Sequence, residues 1–135
     1  MMRNIVFLLA SFYFVSCGSN NTEEKEPKFA VLSEWKAGPS VAQSTPLEDY
    51  IYSKVEITLL TKDKKAPKSV ELIQVKPWMK IHGHGSPSTP KVREIYANVF
   101  EVSNIHFNMS GPWELQVSAI VDGVRDTVEV NVEVP

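Results

Sequence analysis

From Lys28 to the end of the chain, apolar residues recur at every second position, and helical spacing is almost absent. A chain written this way can bury one face of an extended segment but has no stripe to bury along a helix, so it must fold as strands. The clearest stretch lies at the C-terminal end. Trp113, Leu115, Val117, Ala119 and Val121 share one face, and Glu114, Gln116 and Ser118 share the other. After Asp122-Gly123, Val128, Val130, Val132 and Val134 alternate with Glu129, Asn131 and Glu133. An Asp-Gly pair suits a type I′ hairpin, in which both central residues need positive φ. The same alternation, bounded by Gly, Pro, Asn and Asp, predicts further strands at Phe29 to Trp35, Ile51 to Thr61, Ser69 to Pro77, Lys91 to Ile95 and Val99 to Phe107. The expected fold class is all-β, an antiparallel β-sandwich of about seven strands.

Strands joined by short connections alternate in direction, so alternate loops share an end of the sandwich. The loops Trp78 to Pro90 and Asn108 to Pro112 are then expected at one pole, together with the connection Lys36 to Tyr50. This holds if Tyr96-Ala97-Asn98 is a turn. The N-terminal entry to the domain falls at the opposite pole.

The start of the chain reads as an address. Residues 1–16 carry Arg3 as their only charge, then the apolar run Ile5 to Ala10 and the aromatic-rich Phe12 to Val15, ending at Ser16-Cys17-Gly18. That pattern is expected of a secretory signal, with small Ser16 ahead of a lipid-modified Cys17. Two or three acyl chains, at about 0.8 kcal/mol per buried methylene, would give stable membrane anchoring. Residues 17–27 then form the lipidated cysteine and a polar tether that cannot bury enough apolar surface to fold, and residues 28–135 form the one folded domain. The implied location is the cell envelope, on the extracytoplasmic or periplasmic side. No run reaches the roughly twenty apolar residues of a spanning helix.

Composition narrows the chemistry. Fourteen Lys plus Arg against sixteen Asp plus Glu give a formal charge of -2, so the cationic field that a nucleic acid requires is missing. The single cysteine excludes an internal disulfide framework, a Cys-x-x-Cys pair and a cysteine zinc cage. Gly83-His84-Gly85 lacks the third glycine and the helix of a dinucleotide fingerprint, and neither a Gly-x-Ser-x-Gly elbow nor a His-Glu-x-x-His helix is present. Ser86 and Ser88 neighbour His84 on a Pro-rich loop that offers a catalytic triad little preorganisation. No enzymatic motif is found.

What stands out is a set of soft and borderline donors. Beyond the signal, the chain has three histidines, His82, His84 and His106, and two methionines, Met79 and Met109, and all five fall on the two loops expected at one pole or on their edges. Thioether sulfur suits Cu(I), and imidazole serves Cu(I) and Cu(II), so a mixed set points to copper more than to zinc. Gly83 and Gly85 let the loop bend so that neighbouring side chains can converge. A plainer account stands beside this one: Met79 fills a core gap next to Trp78, His106 is a hydrogen-bonded strand residue, and His-Gly-His-Gly is only a turn. Trp35, Trp78 and Trp113 read as core or sandwich-edge aromatics.

The segments Val75-Lys76-Pro77-Trp78-Met79-Lys80-Ile81-His82-Gly83-His84-Gly85-Ser86 and Asn104-Ile105-His106-Phe107-Asn108-Met109-Ser110-Gly111-Pro112-Trp113-Glu114-Leu115 resemble the YtkA-like or FixH family of small extracytoplasmic domains. The likeness spans about Val55 to Val121. It implies an immunoglobulin-like sandwich, and FixH relatives are associated with copper-dependent maturation of a cytochrome oxidase. Met79, His82, His84 and Met109 are the positions the family pattern carries over, whereas His106 rests on spacing alone. The resulting expectation is a lipid-anchored copper-binding carrier or accessory factor, not an enzyme, whose partner is an envelope metalloprotein or an oxidase under assembly. The alternative is a metal-free interaction module of the envelope.

Overall fold

A computed structural model describes residues 25–44 and 50–135. The expected signal at 1–16, the lipid site Cys17 and most of the tether lie outside the described residues. The elements are β1 (Phe29–Ala37), β2 (Gln43–Ser44), β3 (Tyr50–Ile51), β4 (Ser53–Thr61), β5 (Val70–Met79), β6 (His84–Gly85), β7 (Lys91–Tyr96), β8 (Val99–Ile105), β9 (Gly111–Val121) and β10 (Val124–Val134), with no helix among them. Two four-stranded sheets, ordered β1-β4-β8-β7 and β10-β9-β5-β6, pair antiparallel throughout. The β-sandwich read from the alternation is the observed architecture.

The two sheets close on one apolar core. Val55, Ile57 and Leu59 of β4 and Phe100 and Val102 of β8 meet Trp113, Leu115, Val117, Ala119 and Val121 of β9 across it. Asp122 and Gly123 both have positive φ, 48° and 79°, as the I′ hairpin demands. Asp122 also accepts the backbone N–H groups of Lys68 and Ser69, at 2.7 and 2.9 Å, which ties the start of β5 to the β9–β10 turn. Ala97-Asn98 is a two-residue turn between the paired Tyr96 and Val99, so the strand directions alternate as expected.

Two irregularities decide which way the pole-side residues face. In β5 the pairing shifts between Leu72 and Gln74, leaving Ile73 as an extra residue. A strand has a side-chain period of two, so one surplus residue exchanges its faces. Beyond the bulge Val75, Pro77 and Met79 turn inward and Trp78 turns out, its ring under the Lys76 ammonium at 4.7 Å. In β8 the partners jump from Val55↔Val102 to Ser53↔Ile105, and Asn104 takes φ 60°. Phe100 and Val102 face the core before this bulge, and Ile105 and Phe107 do so after it. Pro77 is fully buried on β5 at a place where β6 pairs only with Trp78 and Met79. Lacking an N–H, it blunts that open strand edge against foreign strands.

Candidate functional site

The loops expected to share a pole do so, and hydrogen bonds fasten the first of them to the end of β8, just before the second. Ser86 Oγ donates to the His106 carbonyl at 2.7 Å, Ser88 Oγ to the Asn104 carbonyl at 3.0 Å, and Asn104 Nδ2 to the Thr89 carbonyl at 3.0 Å. The connection after β1 joins them through a Val41–Phe107 bridge, with the Ala42 N–H on the Phe107 carbonyl at 2.8 Å.

Two of the expected loop residues are strand residues. Met79 ends β5 and His84 begins β6, and the two are direct cross-strand partners. Direct partners place their side chains on one face with Cβ atoms about 4.5–5.5 Å apart. The connecting turn is closed by the Gly83 N–H on the Met79 carbonyl at 2.9 Å, and Gly83 supplies the φ of 63° that the turn requires.

Met79 is 1% exposed and belongs to the core. Its methyl reaches toward the next loop, since a Cβ built on Gly111 would stand 3.2 Å from Met79 Cε. Gly111, at φ 120°, provides the space a side chain would fill. Met109 is half-buried against the core, and its carbonyl accepts the indole N–H of Trp113 at 3.0 Å. The Trp113 ring meets the His84 ring edge-on at 5.6 Å and the Phe107 ring at 5.1 Å. Trp113 is thus the common wall between the histidine hairpin and the methionine loop. The sequence reads Trp35, Trp78 and Trp113 as core or sandwich-edge aromatics, one of which could line the site; Trp113 is both buried and at the site, and its place four residues after Met109 is the signal that singles it out.

His84 is half-buried, and its Nδ1 lies 3.0 Å from the Gly85 carbonyl. A carbonyl can only accept, so in the neutral ring Nδ1 carries the proton and the Nε2 lone pair is left for a ligand. The exposed His82 ring stacks on the His84 ring, with centroids 5.9 Å apart and planes 23° apart. Bonds of about 2.0–2.1 Å from nitrogen to metal allow two imidazoles on one ion a centroid separation of up to about 6–7 Å, so the spacing suits a shared ion, although one ring must turn out of the stack for both in-plane lone pairs to meet it.

His106 does not join them. The β8 bulge turns Ile105 and Phe107 into the core and His106 to the opposite side of the strand, where its ring meets Tyr52 at 5.2 Å. Burial there pushes the His106 pKa below its ordinary value. The five expected donors do not all share one place: His106 stands apart, whereas His84 is paired with Met79, carries His82 on its ring and meets Trp113, whose indole also holds the Met109 carbonyl. Among the described residues, no three His, Cys, Asp or Glu side chains gather closely enough to hold a metal. A third donor to an ion on the histidine pair is therefore not a His, Cys, Asp or Glu of the described residues, and Met79, the cross-strand partner of His84, is the soft donor nearest to hand.

The acid beside Trp113 is unavailable to this site. Glu114 faces the outer side of the sheet, where it accepts from Gln116 Nε2 at 2.9 Å and pairs with Lys80 at 3.6 Å. Lys80 also pairs with Glu129 at 3.6 Å, and Glu114 first, then Glu129, raises the Lys80 pKa. No family model, curated protein or solved structure in the comparisons matches this chain.

Proposed function

We propose that this chain is a lipid-anchored, extracytoplasmic copper-binding module of the YtkA-like or FixH kind, which carries one ion to or from an envelope metalloprotein such as an oxidase under assembly. It acts as a carrier and not as a catalyst. The observation that carries the reading is the pairing of Met79 with His84 at the tip of one sheet, with His82 stacked outside and Met109 fastened to the shared Trp113 wall. The sheet order supports an immunoglobulin-like assignment: taken in chain order, the seven main strands divide as first, second, fifth and fourth against seventh, sixth and third, the constant-type arrangement. The lipid anchor at Cys17 rests on the sequence pattern, and segment 25–28 enters the domain at the pole away from the donors.

Isothermal titration tests the reading. The chain is expected to bind one copper ion with micromolar or tighter affinity, about -8 kcal/mol or better, and to lose it in Met79→Ala combined with His84→Ala. Absence of saturable binding of both Cu(I) and Cu(II) rejects it. In that case the second reading takes over, a metal-free docking module. It is favoured by the burial of Met79 and by Ile81, which stands 71% exposed at the tip of the same hairpin.

A further inference from the structure

We infer that the site selects monovalent over divalent ions, taking Cu(I) in an inner position between Met79, His84 and Met109, with His82 as the outer donor through which the ion enters and leaves. This rests on the copper reading above and deepens it.

Three observations carry the inference. Every donor in the group is neutral, and the neighbouring carboxylate, Glu114, is turned to the opposite face and held there by Gln116 and Lys80. Met79 lies in the same buried apolar cluster as Trp113 and Phe107, whose rings meet each other. His84 presents its edge to Trp113 and so stands at the boundary between that apolar interior and the exposed His82. The desolvation cost of an ion grows with the square of its charge, so a divalent ion loses about four times as much as a monovalent one of similar size on entering such a place. Without an anionic ligand, only bonds to neutral donors are left to offset the difference, and two of the inner donors are thioethers, which bond poorly to divalent ions. Thioether sulfur adds the same preference from the side of bonding, because it is a soft donor that suits Cu(I).

Exposure also sets the order of the donors. Met79 is covered, whereas His82 is open to solvent and its ring is stacked on that of His84. An ion arriving from solvent or from a partner meets His82 first and passes by way of His84, the one imidazole that borders both environments. Met79, at the end of β5, and Met109, on the loop that leads into Gly111, then hold it, and the Met79 methyl abuts the chain at Gly111.

The test uses the full chain and three probes: Cu(I) delivered anaerobically from a competing chromophoric chelator, Cu(II) and Zn(II). Cu(I) is expected to bind at least about a hundredfold more tightly than either divalent ion. Met79→Leu with Met109→Leu keeps the apolar volume while removing both sulfurs. It is expected to weaken Cu(I) by tenfold or more and to leave Cu(II), held on His82 and His84, within about threefold. The near-ultraviolet dichroism of the three tryptophans reports whether the variant is folded. His82→Ala is expected to slow Cu(I) exchange with the chelator more than it changes affinity. Divalent binding as tight as Cu(I), or undiminished Cu(I) affinity in the folded Leu variant, overturns the inference while leaving a copper module standing. Failure of all three ions to bind removes both.

Discussion

Replacing Gly111 with alanine is expected to destabilise the fold by about 2–3 kcal/mol, and the structure separates that loss into two parts. Gly111 sits at φ 120°, in a region L-residues rarely enter, and forcing alanine there costs of order 1–3 kcal/mol. The added Cβ would also stand 3.2 Å from Met79 Cε. Because that neighbour is the free end of a flexible side chain, it can retreat by a few tenths of an ångström at a cost of order 0.5–1.5 kcal/mol. Urea denaturation followed by tryptophan fluorescence reads the sum, and a double-mutant cycle with Met79→Ala divides it. In the Met79→Ala background the steric part vanishes and the backbone part stays, so the coupling energy should equal the steric part, about 0.5–1.5 kcal/mol. Met79→Ala alone, as a core truncation, should cost about 2–5 kcal/mol. A Gly111→Ala variant within about 0.5 kcal/mol of the parent, or a coupling energy equal to the whole loss, would refute this division.

The other structural predictions concern the wall of the site and the opposite pole. Trp113→Phe removes the N–H that holds the Met109 carbonyl; it should cost about 1–2 kcal/mol and hasten proteolytic cutting between Asn108 and Ser110, and an unchanged cutting rate would show that the bond does not hold the loop. Asp126, with its side chain 7% exposed, accepts from the Lys28 and Thr127 N–H groups at 3.0 and 2.9 Å and pairs with Lys25. Burial pushes its pKa up, but the hydrogen bonds and the Lys25 charge outweigh burial and hold the carboxyl below the usual range. A lowered folded-state pKa contributes stability that is full above the unfolded carboxylate value and is lost as pH falls through the folded one. Asp126→Asn should therefore flatten the acid limb of a stability–pH profile while changing little of its shape above about pH 6; an unaltered acid limb would count against the assignment.

Much of the fold was legible because it follows from a period of two and from turn chemistry. The β9–β10 hairpin could be read in full, since Asp122-Gly123 fixes the register and the valines fix the face. The shared pole of the two donor loops followed from alternating strand direction alone. The donor geometry was only half legible, and the reason is local. Counting by twos from Val70 and Leu72 puts Trp78 inside and Met79 outside, yet the surplus Ile73 reverses both. Counting by twos from Phe100 and Val102 puts His106 inside, yet the irregularity at Ser103 and Asn104 reverses it. Nothing in the composition near Ile73 marks a bulge, because isoleucine is an ordinary strand residue. Asn104 carried a weak signal, asparagine being one of the few side chains that tolerate positive φ. Of the three two-residue strands, β2 and β6 were missed and β3 was merged into the strand Ile51 to Thr61, because two residues are too few to show a period.

The Ile73 bulge makes the tip of β5 a two-position dial. Shortening the strand by that one residue would leave Leu72 on Ala119 and Gln74 on Ser118, so the ladder would simply become regular and keep Met79 indoors. A second extra residue anywhere between Val75 and Met79 would turn the dial once more, parading the sulfur in solvent and tucking the Trp78 indole beneath the facing sheet. Inserting a single codon past Val75 thus reprograms the donor tip without touching any donor, whereas removing the Ile73 codon does not, and an insertion in the Thr61–Pro67 turn would be absorbed as slack.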